Sequence, residues 1–455
     1  MKWTKLGRGA KALAVTLALG LGVSACSRDY TVGYLYVTTS KSDPGLINAY
    51  SIDYQLGKLE PLADSPIPSG GVNPLALVVS TNTAYTTNGA QFVYVINHDA
   101  PSSNVVEFAV GTDGKLYPEN TYPVVQNTTK TIIGTNPTAI AMDPSDTFLY
   151  ITFTYQNGYS LSSPGPGGVA VFPINKDGSL GNPLVNTTVG TTAANPLPYF
   201  PVGNNPVGVA VSNPFCLAGS VPSGYVACTT SGGSPGYITL PNVYVIDQDA
   251  VGGTSTGVVL AFQEGYNLAS KTATGYLTKV AGTTLTGFSA GSSPAAITAD
   301  PNGKYVYVTD QATNQIYGYT VLATGGLSAM STPFATGLLP QGLTVDPRGD
   351  YLYVANFAGQ SIGGYSINST TGALTAFSSG TTATGNGPNC ITIDPTLGIY
   401  VYASNNLSGS VSGNQLNPAT GNLTLIQGTP FGASALPTCA AAVGAVPPTS
   451  TVLVP

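Results

Sequence analysis

The chain has 455 residues, of which only 7% are charged: 14 basic side chains stand against 20 acidic ones, with a single His. So sparse and acidic a charge complement excludes a nucleic-acid binder, because phosphate recognition needs a basic stripe. The 56 Gly and 35 Pro are turn formers, and no long amphipathic helix is visible after residue 25, so the class is all-β.

Residues 1–25 read as a secretory signal peptide: Lys2, Lys5, Arg8 and Lys11 precede an apolar run from Ala12 to Val23. The segment ends Val23-Ser24-Ala25-Cys26, which resembles a bacterial lipobox with Cys26 as the acylated first residue. The alternative is an ordinary signal peptide with a chance Cys. Ser27 follows, where an Asp commonly marks inner-membrane retention of lipoproteins, so the expected location is the outer membrane or cell surface. Residues 26–33 are then a lipid-anchored tether, and contact with the membrane is through the anchor only, since no other stretch is long and apolar enough to span a bilayer. Removing the signal takes four of the 14 basic residues and leaves ten against 20 acidic, an envelope-type composition.

From residue 34 one pattern recurs seven times. A proline (Pro74, Pro137, Pro206, Pro294, Pro340, Pro388, Pro437) opens a small apolar strand such as PTAIAMD, PAAITAD or PQGLTVD. An aromatic-rich strand (YLYV, FVYV, YVYV and variants) begins at Tyr34, Phe92, Phe148, Val243, Tyr305, Tyr351 and Tyr400. A Gly-x-Leu turn closes each unit, at Gly57, Gly114, Gly178, Gly275, Gly325, Gly372 and Gly421. Short strands at such a period predict a seven-bladed β-propeller of four antiparallel strands per blade over residues 34–447, with 448–455 as a tail. The first aromatic strand has no proline strand before it, and the last proline strand has no aromatic strand after it. The two halves complete each other if the C-terminal strand pairs beside Tyr34 and closes the ring, leaving no free inner edge.

Four cysteines remain after Cys26. An even number outside the cytosol predicts the disulfides Cys216–Cys228, flanking one insertion, and Cys390–Cys439, at equivalent positions of adjacent inner strands; four buried thiols are the alternative.

The strand YVYVTDQATNQIYGY (305–319), preceded by Pro-x-x-Ile-x-x-Asp-Pro-x-Gly, resembles the seven-bladed lactonase family, with 6-phosphogluconolactonase-like members, and the YVTN-type repeats of secreted surface propellers. The resemblance covers the chain from about Tyr34 to Val443. It implies lactone chemistry with His, Arg and Glu around a central pocket. This chain has one His, His98, and one Arg within the propeller, Arg348, in an Asp-Pro-Arg-Gly turn on the opposite face. It offers no bidentate Arg or Lys cluster for a phosphorylated lactone.

The candidate site is therefore an acidic, amide-rich rim. His98 is the candidate general base, oriented by Asp99, with Asp247, Asp249, Asp310, Tyr155 and Tyr159 as ligand-binding candidates. Ca²⁺ held by rim carboxylates is an alternative cofactor reading; no other metal or cofactor signature is present. Asp247 and Asp310 share their repeat position with Asn97, Asn356 and Asn405, where side chains cap loop backbone. Insertions at 155–168, 185–205 and 213–241 enlarge blades 3 and 4, and Tyr199 and Phe200 add aromatic surface. The favoured function is a monomeric envelope propeller that binds a glycan or envelope protein over the channel; the alternative is a hydrolase acting on a small-molecule lactone.

Overall fold

The computed structural model describes residues 31–40, 43–99, 103–126, 132–156, 167–186, 197–221, 226–230, 232–249, 256–267, 272–280 and 287–445. The signal segment 1–25, Cys26, Tyr159 and the tail 448–455 lie outside them.

Seven antiparallel sheets follow one another along the chain. Their inner strands are Pro74–Val79, Ile132–Met142, Pro206–Ser212, Pro294–Ala299, Pro340–Val345, Pro388–Ile393 and Pro437–Gly444. Six of these contribute to sheets that run onward in sequence. The last joins the first sheet: Pro437–Gly444 pairs with Thr31–Thr39 from Gly33↔Gly444 to Thr39↔Pro437. Blade 1 is thus built from both ends of the propeller, as the phase of the repeat predicts. Blade 3 departs from the four-strand pattern, since its outer strand shrinks to a single bridge between Ile174 and Leu180. The insertion after residue 213 forms a separate three-stranded sheet, Cys216–Ala218, Pro235–Ile238 and Ala227–Thr229.

Each repeat proline sits at or near the start of a ladder, where a missing N–H costs least. In six blades it pairs with the last residue of the aromatic strand, as in Pro294↔Asp310, and the register then skips one residue to Ala296↔Thr309; in blade 3, whose strands run longer, Pro137 pairs with Phe153. The same skip follows all seven prolines. The residue after each proline is a bulge, unpaired and re-aimed.

The Tyr-x-Tyr strands suggest aromatics with one face wet, and the structure corrects this. Tyr36, Tyr94, Tyr150, Tyr244, Tyr307, Tyr353 and Tyr402 are fully buried. Blades stack on both sides of every aromatic strand, so neither face meets water. The core is accordingly a series of wedges between neighbouring blades; one joins Tyr34 and Tyr36 of blade 1 to Val93 and Val95 of blade 2.

Burying seven phenols demands partners for their hydroxyls. Six donate to the carbonyl of the glycine in the next blade's Gly-x-Leu turn: Tyr36 to Gly114 (2.8 Å), Tyr94 to Gly178 (2.6 Å), Tyr244 to Gly325 (3.1 Å), Tyr307 to Gly372 (2.7 Å), Tyr353 to Gly421 (2.6 Å) and Tyr402 to Gly57 (2.7 Å). The turn that reads as simple punctuation is therefore half of an interblade latch. Burial, helped in most of them by nearby carboxylates, holds these phenols well above their ordinary pKa, so they stay neutral donors. Tyr307→Phe should cost about 1–3 kcal/mol, because it strands the buried Gly372 carbonyl. Tyr150→Phe should cost little, because the Tyr150 hydroxyl has no hydrogen-bond partner. Urea denaturation of the two variants checks the contrast.

Candidate functional site

The bulges line a pocket at one mouth of the central channel. It has a volume of about 460 Å³, and its polar wall consists of Thr138, Gln341, Asn389 and Thr438 from bulge positions, with Gln248 and Gln311 from the loops after the aromatic strands. Every described lining residue is uncharged. Most of these polar groups tie one blade to the next. Thr138 Oγ1 donates to Pro206 O (2.6 Å), Thr438 Oγ1 to Pro74 O (2.6 Å) and Gln248 Nε2 to Pro294 O (2.9 Å). Asn389 is different. Its Nδ2 donates to the carbonyls of Pro437 (3.2 Å) and Thr438 (2.9 Å), which fixes the amide's orientation. Its Oδ1 is buried and has no hydrogen-bond partner among the described residues. That oxygen is closed off from the channel, so the wall's accessible polar groups are the amides of Gln248, Gln311 and Gln341.

The disulfide Cys390–Cys439 lies in the same wall, with Cα atoms 5.0 Å apart; Cys216–Cys228 staples the insertion sheet at 6.0 Å. Both pairings agree with the sequence reading.

The rim residues divide. Asp247 is fully buried and accepts the backbone N–H groups of Asn204 (3.0 Å), Asn205 (2.8 Å) and Asp249 (3.2 Å). Burial pushes its carboxyl up, against the pull of those amides. Asp310 is likewise buried and accepts from Ser292, Ser293 and Ala312 N–H and from the Thr313 hydroxyl. They belong to blades 4 and 5 and cap loops that lead to the inner prolines, so their carboxylates face backbone and do not line the pocket. Asn97, Asn356 and Asn405 are buried at the same repeat position. Asp249 is exposed one turn beyond its cap. Tyr155 is half-buried and pairs with Thr135 in the sheet of blade 3. Tyr199 and Phe200 are buried, packed edge-on against Phe153 (5.4 Å) and Tyr276 (5.2 Å), so they present no platform. Among the described residues no group of three His, Cys, Asp or Glu is placed to hold a metal ion.

His98 and Asp99 do meet. His98 Nδ1 lies 2.8 Å from Asp99 Oδ1, and Asn73 Nδ2 approaches the same oxygen at 3.4 Å. The neutral imidazole then donates from Nδ1, leaving Nε2 as the basic nitrogen. His98 occupies the register of Gln248 and Gln311, directly after the capping residue, and its N–H donates to Asn73 O as theirs do to Asn205 and Ser293. The pair is partly exposed, the side chains at 28% and 46%, and neither residue lines the channel pocket.

Sequence reasoning missed the bulge residues. Their signal is a polar side chain directly after the repeat proline in an otherwise small and apolar strand: Thr138, Gln341, Asn389, Thr438. Arg348 is where the sequence places it, on the opposite face. It pairs with Asp346 (Nε to Oδ2, 2.9 Å) and donates to Gly398 O (3.1 Å) of the next blade.

Residues 256–393 match the family model described as lactonase, 7-bladed beta-propeller. No curated protein matches the chain significantly. Among solved structures, a 6-phosphogluconolactonase candidate from Bacteroides fragilis is similar at 20% identity, TM-score 0.57, over 92% of this chain and 99% of that one. A Lactobacillus plantarum protein is similar at 16% identity, TM-score 0.59, over 91% and 99%. The periplasmic gluconolactonase PpgL of Pseudomonas aeruginosa is similar at 16% identity, TM-score 0.56, over 91% and 99%. At these identities the likeness concerns the fold, which is that of a lactonase-like propeller.

Proposed function

We propose, taking a lactonase-like propeller as the premise, that this chain is a lipid-anchored envelope protein binding an uncharged, hydroxyl-rich ligand, such as a glycan end, in the channel mouth. The observation that carries this reading is the neutral pocket, walled by the side-chain amides of Gln248, Gln311 and Gln341. Such amides both donate to and accept from a ligand hydroxyl. The pocket's volume suits a sugar-sized group, in the range of small-molecule sites. A phosphorylated ligand would find no cation among the lining residues.

The His98–Asp99 contact supports a second reading, lactone hydrolysis. Here Nε2 of His98 would take a proton from water attacking the lactone carbonyl, with Asp99 holding the tautomer. The two readings separate by mutation. Saturation-transfer NMR against neutral monosaccharides, sugar lactones and soluble cell-wall glycan fragments should find a binder. The Gln311→Ala/Gln341→Ala variant should weaken it about tenfold, for two lost hydrogen bonds, while His98→Ala leaves affinity within a few fold. Binding unaffected by the channel variant would sink the first reading. Turnover of D-glucono-1,5-lactone that falls at least tenfold in His98→Ala would establish the second, because a positioned base contributes about 10² to 10⁴ in rate.

A further inference from the structure

One of the seven blade junctions lacks its latch. Between blades 3 and 4 the repeat would send the Tyr150 hydroxyl to the carbonyl of Gly275, but no such hydrogen bond forms. The Phe148 ring still packs on that glycine, as the equivalent aromatics do elsewhere, so the blades are in register. What differs is Glu264. It sits in strand Val258–Asn267 of blade 4, two residues after the apolar run VVLAF, and is 0% exposed. Neither carboxyl oxygen reaches full hydrogen-bond geometry with a described donor; the Tyr150 hydroxyl and the Gly275 N–H are the polar groups near enough to act on it. The wedge around it holds Phe148, Tyr150, Val169, Leu260, Phe262 and Leu277.

The groups that act on Glu264 are few. Tyr150, on the facing strand of blade 3, is held neutral by burial. Asp143, in the turn before that strand, adds negative charge, and the backbone at Gly275 approaches from blade 4's own outer strand. No cation is among them. A carboxylate cannot be left bare in such a wedge, because an unpaired buried charge costs far more than a neutral acid. The group therefore keeps its proton. Burial, with Asp143 as the lesser cause, pushes its pKa up to about 8.

We propose that the junction between blades 3 and 4 is a proton-held seam: a neutral Glu264 keeps it shut, and ionisation of Glu264 opens it in preference to the six latched junctions. The same blades carry the insertions at 185–205 and 213–241, so the one unlatched junction coincides with the region where the repeat is most elaborated. The sign follows from the raised pKa. Below about 4.5 the acid is protonated in folded and open states alike, and its stabilising term is complete. As pH rises toward about 8 the open state releases its proton first, so the seam weakens steadily; above about 8 the loss is complete.

Hydrogen exchange read by mass spectrometry on the full mature chain tests this, with rates corrected for the intrinsic effect of pH. From pH 6 to 8.5, protection in segments 148–156 and 258–267 should fall at least tenfold. Segments 305–310 and 351–356, beside intact latches, should change little. Glu264→Gln, neutral at every pH, should abolish the differential loss. The proposal is overturned if all blades lose protection together, or if the glutamine variant responds to pH as the parent does. Should that variant fail to fold, the comparison between blades in the parent protein decides alone.

Discussion

Gly57→Ala should destabilise the propeller by roughly 3 kcal/mol, whereas Gly380→Ala, at a glycine of similar backbone conformation, should cost only about 1 kcal/mol. Both residues lie in the left-handed region, at φ +64° and +78°. A Cβ there costs on the order of 1–2 kcal/mol from backbone strain alone. At Gly380 nothing lies within 4 Å of the added carbon. At Gly57 it would stand 2.3 Å from the Tyr400 ring, which is 1% exposed and cannot retreat. Overpacking of this kind adds about 1–3 kcal/mol. Gly57 also accepts from the Tyr402 hydroxyl, so any shift of its turn strains the latch between blades 7 and 1. Chemical denaturation of both variants measures the difference. Equal costs would mean that the aromatic–glycine contact contributes nothing.

Replacing Cys390 and Cys439 together by Ala should cost about 4 kcal/mol, the loop-closure term for a separation of 49 residues. Removing Cys216 and Cys228, separated by 12, should leave the main unfolding transition nearly unchanged. Loop length alone would assign that bridge about 3 kcal/mol. Its staple, however, holds a three-stranded sheet that stands apart from the seven blades, so its loss is felt locally. The first disulfide has another task. Strand Pro437–Gly444 completes blade 1 and is the last strand among the described residues. Cys439 ties it to the inner strand of blade 7, so a strand that frays from Tyr34–Thr39 stays close enough to re-pair. Calorimetry of the two double variants, with and without a reducing agent, should show a large downward shift in melting temperature for the first pair only.

The architecture was legible because each blade repeats its own signals. The proline marks the inner strand, Tyr-x-Tyr the second, and Gly-x-Leu the outer turn, and blades obey the same packing rules seven times over. The disulfides were legible because Cys390 and Cys439 stand at matching repeat positions. The depth of burial was not, since a period-two strand reads as half-buried unless the stacking of a neighbour on its other face is known. The site was harder still. Asp247 and Asp310 attract notice as carboxylates, yet loop amides claim them, and Tyr199 is claimed by Phe153. Thr138 and Asn389 escaped notice because a sequence shows neither the register skip nor where it aims a side chain. Glu264 escaped for a related reason: a lone Glu looks solvated until the strand carrying it is found pressed against a neighbouring blade.

The register skip has an evolutionary corollary. Residues 75, 138, 207, 295, 341, 389 and 438 take no part in the cross-strand ladder, so their identity is largely uncoupled from the register of the sheets, although Thr138, Asn389 and Thr438 also tie one blade to the next. They amount to seven variable letters written around one pore. A library randomised at those positions alone should yield mostly folded propellers with altered ligand preference. By the same logic, descendants of one such scaffold can diverge in cargo while their blades remain superimposable.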